Sequence, residues 1–277
     1  MSETIRIETD SRGVATLSLA RPNKHNALSQ AMMEDLTRAA AGLGADPAVR
    51  VVVLAGDGAS FCAGGDLAWM KAQIAAEAET RRAGARLLAG MLSALNTLPK
   101  PLIGRVHGNA FGGGVGMMSV CDIAIASLEA KFGLTEVKLG LIPATIGPYV
   151  LARMGEDKAR RVFFSGRIFG AEEAVTLNLA ARAVPAGDLD AAVEAEVAPF
   201  LLGAPGAIAA ATLASAQACA CTPSGTHPPC HSLSVLNCAA TPSRRPNEPV
   251  SVLPTAHTAK AKRARITISG KIHTHLF

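Results

Sequence analysis

From Ile5 to Leu19 apolar and polar positions alternate, with Ala15, Leu17 and Leu19 set against Val14, Thr16 and Ser18. The pattern predicts two short strands joined by a turn at Asp10-Ser11-Arg12-Gly13. Ser29 is placed to cap a helix whose apolar stripe runs through Met33, Leu36, Ala40 and Leu43 and stops near Pro47. Val51-Val52-Val53-Leu54 is a continuous apolar run, the mark of a strand buried on both faces. Leu87, Leu88, Met91, Leu92 and Leu95 recur at helical spacing before Pro99. The pattern then predicts a strand over Leu102 to Val106, a glycine-initiated helix over Gly113 to Val120 and a strand over Ile123 to Ala126. Helices around Asp157–Phe164 and Ala171–Asn178 follow. Strands alternating with helices imply an α/β layered body.

Composition places the chain among globular proteins: 277 residues, 49% hydrophobic and 18% charged, although only 4% are aromatic. The net charge of +5 misleads, because it is unevenly spread. Seven Lys and Arg and a single acid, Glu248, lie in residues 214–277, which leaves 20 basic and 21 acidic residues before them. The body is near neutral, which argues against a nucleic-acid partner. Met1 to Asp10 is polar and lacks the apolar stretch of a signal peptide. The uncharged run from Val197 to Thr222 is long enough to span a bilayer by length. It is broken by Pro199, Gly203, Pro205 and Gly206 and is mostly alanine, so a helical segment outside the membrane is the expectation. Only Cys62 and Cys121 of the six cysteines lie in the body, which fits a reducing cytoplasm and not a disulfide framework.

The candidate chemistry lies in two glycine-bearing turns. Phe61-Cys62-Ala63-Gly64-Gly65-Asp66-Leu67 and Gly112-Gly113-Gly114 each lead into apolar sequence of helical character, and Glu136 comes shortly after. Peptide N–H groups at such turns can be aimed at one developing negative charge, and a nearby carboxylate can move protons. Taken singly, each turn reads as an ordinary place where glycine supplies φ > 0, and Glu136 as a surface residue paired with Lys131 or Lys138. Phosphate-loop readings fail. No Gly-x-x-x-x-Gly-Lys-Ser/Thr occurs, and Met117 stands where a dinucleotide fingerprint beginning at Gly112 needs its third glycine.

Several segments carry a resemblance. Phe61 to Met70, His107 to Asp122 and Phe132 to Tyr149 are similar to the signature segments of the crotonase family, the enoyl-CoA hydratases and isomerases. Arg21-Pro22-Asn23-Lys24-His25-Asn26-Ala27-Leu28 resembles that family's first CoA-contacting loop. The likeness runs in order from about Ile5 to about Leu213. It implies a spiral of strand-strand-helix repeats assembling as trimers or hexamers, and an acyl-CoA thioester substrate with no metal and no separate cofactor. It also implies that Gly65 and Gly113 donate to the thioester oxygen while Glu136 delivers or removes the proton. Ala27, Ala63, Gly112 and Gly116 fall at substrate-binding positions. Asp66 is expected to cap a helix while Leu67 and Ala68 line the CoA arm. Lys24 and His25 fit either CoA phosphates and adenine or a solvated loop. Trp69, Cys62 and His107 read as packing or structural residues.

Gly116 departs from the pattern of hydratases that place a first glutamate there to hold water. A single glutamate also suits the family's double-bond isomerases. Against that, Phe61–Met70 and Gly114–Met117 are most similar to hydratases of branched glutaconyl-CoA esters, which arise in leucine and terpene breakdown. A glycine at 116 is then expected to leave room for a β-branch. A distal carboxylate would call for a cationic partner such as Lys71 or an arginine between Arg81 and Arg86. Hydration of such an enoyl-CoA is the leading reading, with isomerisation second and non-catalytic binding of a CoA ester third.

Organisation along the chain is read as a catalytic core over 1–190, the start of a helical region over 191–213 and an atypical tail over 214–277. The tail holds four of six Cys, five of seven His and seven of sixteen Pro, with Phe277 its only aromatic. A recombined or out-of-frame segment would have such a composition. It is expected not to pack onto the enzyme and to weaken trimer formation. Cys219, Cys221, Cys230, His231 and Cys238 fit no common zinc spacing, and the Lys260–Arg265 cluster reads as a solvated charge run.

Overall fold

The computed structural model describes residues 3–220, with side chains through residue 214. Ten strands and nine α-helices succeed one another in the described residues. A hairpin of β1 (Ile5–Thr9) and β2 (Val14–Leu19) leads to α1 (Gln30–Ala45), whose first turn is held by the Ser29 hydroxyl accepting from Met32 N–H. Three strand-strand-helix repeats come next. The first is β3 (Val51–Gly56), β4 (Ser60–Cys62), α2 (Leu67–Ala75) and α3 (Ala78–Asn96). The second is β5 (Leu102–Val106), β6 (Asn109–Phe111) and α4 (Gly113–Val120). The third is β7 (Ile123–Ser127), β8 (Lys131–Gly133), a 3-10 turn at Thr135–Leu139 and α5 (Gly147–Met154). Then come α6 (Glu156–Phe163), β9 (Ile168–Gly170), α7 (Ala171–Thr176), β10 (Arg182–Val184), α8 (Leu189–Leu202) and α9 (Pro205–Ala220).

The repeats sort their strands. The longer strand of each enters a six-stranded sheet ordered β1-β2-β3-β5-β7-β10, and the shorter enters a four-stranded sheet ordered β4-β6-β8-β9. This is the spiral that the family likeness implied. In the large sheet Leu17 pairs with Leu54 and Leu54 with Gly104, all parallel.

The large sheet is covered on both faces. Ala15, Leu17, Leu19, Val52 and Leu54 enter the main core with α1, α3 and α4 residues, whereas Val14, Val51, Val53, Ile103 and Ile125 pack on Leu189, Ala192, Val193 and Val197 of α8. The alternation expected in β2 therefore keeps its register but not a solvent face, since Val14 and Ser18 are buried too. The boundary expected at 190/191 falls inside α8, and the one expected at 213/214 falls inside α9. Beyond Ala220 the tail readings lie outside the described residues, as do the side chains of the cysteine set. Among the described residues no single helix is long and apolar enough to cross a membrane.

Helix α4 is buried along its whole length. The carbonyls at its C-terminal end lack intrahelical partners, and Arg153 of α5 supplies donors. Its guanidinium reaches Ser119 O at 3.2 Å and Asp122 O at 3.1 Å and also donates to Cys121 O. Packing and capping together hold α4 as a fixed post.

Candidate active site

Strands β4, β6 and β8 run parallel and adjacent, so the chain leaves all three at one edge. Residues Ala63-Gly64-Gly65, Gly112-Gly113 and Leu134-Thr135-Glu136 are thereby brought together, although 73 residues of numbering separate Ala63 from Glu136. Clefts beyond the carboxyl ends of parallel strands are where α/β folds ordinarily build sites.

The first turn is strapped down from one side only. Leu28 N–H donates to Gly64 O at 2.7 Å and Asp66 N–H to Leu28 O at 3.0 Å, forming an isolated parallel bridge between Leu28 and Gly65. That pattern uses the groups flanking Gly65 and leaves the Gly65 N–H without an intramolecular acceptor among the described residues. Gly113 begins α4, so its N–H is likewise free of a helical partner. The two turns lie close. A Cβ built on Gly64 would stand 3.0 Å from Phe111 O and 3.7 Å from Gly113 N. Gly64 has φ +92° and Gly112 φ +47°, so at both positions a side chain is excluded by conformation as well as by space.

Glu136 closes the third side. A Cβ on Gly112 would lie 2.9 Å from Glu136 Oε1, and Oε2 is buried with no hydrogen-bond partner. Neither Lys131 nor Lys138 pairs with it, so the surface reading of this residue is set aside. Burial pushes its carboxyl above the usual carboxylate range, opposed only by its own backbone N–H.

The cavity holds about 300 Å³. Its wall is apolar (Leu28, Met33, Trp69, Met70, Leu88 and Phe111), with Leu67, Leu139 and Ile142 exposed at the mouth. Ala63, Gly64, Gly65, Gly112, Gly113, Thr135 and the segment Pro143-Ala144-Thr145-Ile146 complete it, and Glu136 is its only charged residue among those described. Two preorganised N–H donors beside one desolvated carboxylate can stabilise an enolate oxygen and move a proton at the neighbouring carbons.

Gly65, Gly113, Glu136, Ala63, Leu67 and Gly112 thus meet at this wall, whereas the remaining residues picked from sequence do not. Ala27 is buried behind it, with its carbonyl accepting from Arg21 at 2.6 Å. Lys24 is exposed, and His25 Nδ1 meets Ser60 Oγ at 3.1 Å. Ala68 lies on the outer side of α2. Asp66 caps that helix, accepting from Ala68 N–H at 3.0 Å and Trp69 N–H at 3.3 Å, and pairs with Arg21 at 3.0 Å. Burial works against the Asp66 carboxylate, but the Arg21 guanidinium and those two N–H groups outweigh it and hold the pKa low.

Two expectations are corrected. Gly116 leaves no free room beside an acyl chain, because Ile146 fills the space: a Cβ at 116 would stand 2.6 Å from Ile146 Cγ2. The cations proposed for a distal carboxylate are also elsewhere. Lys71 is exposed, Arg81 donates to Ala76 O at 2.5 Å, and Arg82 and Arg86 are engaged by Glu79. The packing readings of Cys62 and His107 agree with their surroundings. Burial pushes the Cys62 thiol up to about 12, and His107 Nε2 donates to Gly58 O at 2.8 Å.

Sequence reasoning passed over Asn26, Thr135 and Ile146. Asn26 is fully buried at φ +53°; its Nδ2 donates to Asp57 O and Ser60 O, both at 2.8 Å, and its Oδ1 accepts from Arg21 N at 2.9 Å. An asparagine beside two turn-forming residues was the available signal. Ile146 offered none, being one more apolar residue in a loop.

The sequence pattern of the family described as enoyl-CoA hydratase/isomerase matches residues 9–220. The chain belongs to this family. A Mycobacterium bovis protein named "Probable enoyl-CoA hydratase echA8" is 39% identical over 188 residues, 68% of this chain and 71% of that one. The crystal structure of an enoyl-CoA hydratase from Shewanella pealeana superposes with a TM-score of 0.76 at 34% identity, covering 79% of this chain and 82% of that one. Pseudomonas aeruginosa AtuE gives 0.73 at 37% identity, covering 76% and 81%. Membership accounts for the strand-strand-helix spiral.

Proposed function

We propose that the chain hydrates enoyl-CoA thioesters, adding water across the α,β double bond. The observation that carries this reading is the desolvated Glu136 carboxylate, with Oε2 unpartnered, beside the free N–H groups of Gly65 and Gly113. Glu136 takes a proton from water as the oxygen bonds to the β-carbon and the π electrons move onto the thioester oxygen. Gly65 and Gly113 hold that oxyanion. The same carboxyl then returns its proton to the α-carbon on the same face, so the addition is syn and the enzyme ends in its starting ionisation state. One carboxylate suffices because the two transfers are sequential.

That economy also favours a second reading, since a single carboxylate can carry a proton between two carbons of a 3-enoyl-CoA. Incubation with crotonyl-CoA and a 3-enoyl-CoA, followed by chromatography that resolves the double-bond isomers and by mass spectrometry, separates them. Gain of water supports hydration, an isobaric product supports isomerisation, and no change leaves a CoA-ester binding protein.

The finer assignment, a 3-branched glutaconyl-CoA ester, rests on motif likeness. The described wall speaks for an uncharged chain, because Glu136 repels a second carboxylate and no cation faces it there. We expect kcat/KM to be higher for 3-methylcrotonyl-CoA than for 3-methylglutaconyl-CoA. A clear preference for the glutaconyl ester would overturn that expectation and require a cation from outside the described wall.

A further inference from the structure

We propose that Ile146 sets acyl selectivity at this site, and that position 116 is glycine in order to seat it. This rests on the enoyl-CoA reading for the identity of the ligand, but its steric core stands on geometry alone. Ile146 is 2% exposed and contributes to the cavity wall. On its other side it packs against bare α4 backbone. A Cβ on Gly116 would come within 2.6 Å of Ile146 Cγ2 and 3.0 Å of its Cβ, with Leu92 Cδ2 next at 3.7 Å. Residues 116 and 146 therefore share one volume, and a side chain can be drawn from only one of them.

The position along α4 gives that volume its meaning. Residue 116 lies three residues beyond Gly113, about 4.5 Å of helix axis. With a thioester oxygen on the Gly113 N–H, this offset matches the span from the carbonyl carbon to the first carbons beyond the double bond. Ile146 thus stands where a β-substituent would be accepted or refused.

Its stiffness makes it a gauge. Ile146 is β-branched, which restricts its χ1, and as the residue before α5 its carbonyl accepts from Tyr149 N and Val150 N, both at 3.1 Å. Leu67, Leu139 and Ile142, by contrast, are 70%, 60% and 76% exposed at the mouth and have room to yield.

The test uses the full chain and two paired readouts. Butyryl-CoA and isovaleryl-CoA, which differ by one branching methyl and have no double bond to hydrate, are titrated by calorimetry. Crotonyl-CoA and 3-methylcrotonyl-CoA report turnover. Ile146→Ala is expected to shift the Kd ratio toward the branched ester by about tenfold, the low end of what one methyl is worth in an apolar pocket, and to shift the kcat/KM ratio the same way. Ile146→Val, the milder change should alanine unfold the protein, is expected to shift both ratios in that direction by less. Gly116→Ala is expected to lower Tm, and Ile146→Ala to recover most of that loss in the double variant. Unchanged Kd and kcat/KM ratios in both Ile146 variants, or strictly additive Tm losses, would overturn the proposal. If the binding ratio shifts while no ester gains water, the proposal stands and the hydratase reading falls. If hydration is seen and neither ratio moves, the reverse holds.

Discussion

Glu136→Gln is the most direct perturbation of this site. The amide keeps the shape of the carboxylate, which matters because Glu136 Oε1 sits against Gly112, where a Cβ would come within 2.9 Å. What is lost is the proton site. General acid–base catalysis typically contributes about 10²–10⁴ in rate, or about 2.7–5.4 kcal/mol of barrier at 1.36 kcal/mol per tenfold. Glu136 is the only carboxylate on the described wall, and Ile146 occupies the volume that a second one at position 116 would need. No described neighbour can therefore take over, and the expected fall in kcat lies toward the upper end of that range. Binding of butyryl-CoA should persist, because Gly65 and Gly113 donate from the backbone. The pH profile supplies an independent check. The proposed first step needs the ionised form, and burial raises this carboxyl above its ordinary value of 4.5. Activity should then fall with decreasing pH along a limb centred above 4.5. Steady-state hydration of crotonyl-CoA across pH, with far-UV circular dichroism to confirm folding, measures both quantities. A folded Glu136→Gln enzyme with near-parental kcat, or an acid limb at or below 4.5, would refute the assignment.

The same substitution should make the protein more stable at neutral pH. A raised folded-state pKa means that the native state holds its proton more tightly than the unfolded chain does, so stability declines as pH rises through that pKa. Tm of the glutamine variant should exceed the parent's at about pH 7 and converge with it near pH 4; equal Tm values throughout would contradict the desolvation argument. Asn26→Ala leaves two carbonyls and one N–H without the partner that the buried Asn26 side chain supplies, and puts alanine at φ +53°. Urea unfolding should show a loss of at least about 2 kcal/mol, and a loss under about 0.5 kcal/mol would count against the role given to that network. Arg153→Met removes the donors to Ser119 O, Cys121 O and Asp122 O. A cost of about 1–3 kcal/mol in the same measurement is expected, and an unchanged midpoint would show that water caps α4 instead.

The features legible in the sequence were local ones. Val51–Leu54 declared itself as a buried strand and Ser29 as a cap because both signals lie within a few residues. Strands β4, β6, β8 and β9 span only three residues each, too few for alternation to register. The two glycine turns and Glu136 were visible because glycine-bearing turns and a family likeness marked them. Ala27, Ala68 and Gly116 lie in the same motifs, yet whether a motif residue faces the cavity depends on helix phase and on the residues packed opposite. Ile146 and Arg153 act across 30 and 34 residues on α4, a distance that no periodicity records.

The small sheet explains how so short a set of strands can hold the geometry of this cavity. Its work is registration rather than burial. Pairing of β6 with β8 ends at Phe111 opposite Gly133, and one further bond, Gly112 N–H to Gly133 O at 3.0 Å, continues it before the chain turns into α4. On the other side the register between β4 and β6 shifts between Ser60 and Cys62, just before Ala63. Such an irregularity bends a strand and re-aims the residues downstream of it. Here those residues are Gly64-Gly65, which pass over the Phe111 carbonyl and are pulled toward Leu28. Each donor is therefore set by strand pairing immediately upstream, and the acid by the strand between β6 and β9. The large sheet and its helices supply the buried surface that keeps this small frame from adjusting. On the proposed hydration, a donor pair built this way costs no side-chain ordering when charge develops on the thioester oxygen, which is the condition under which backbone N–H groups stabilise an oxyanion best.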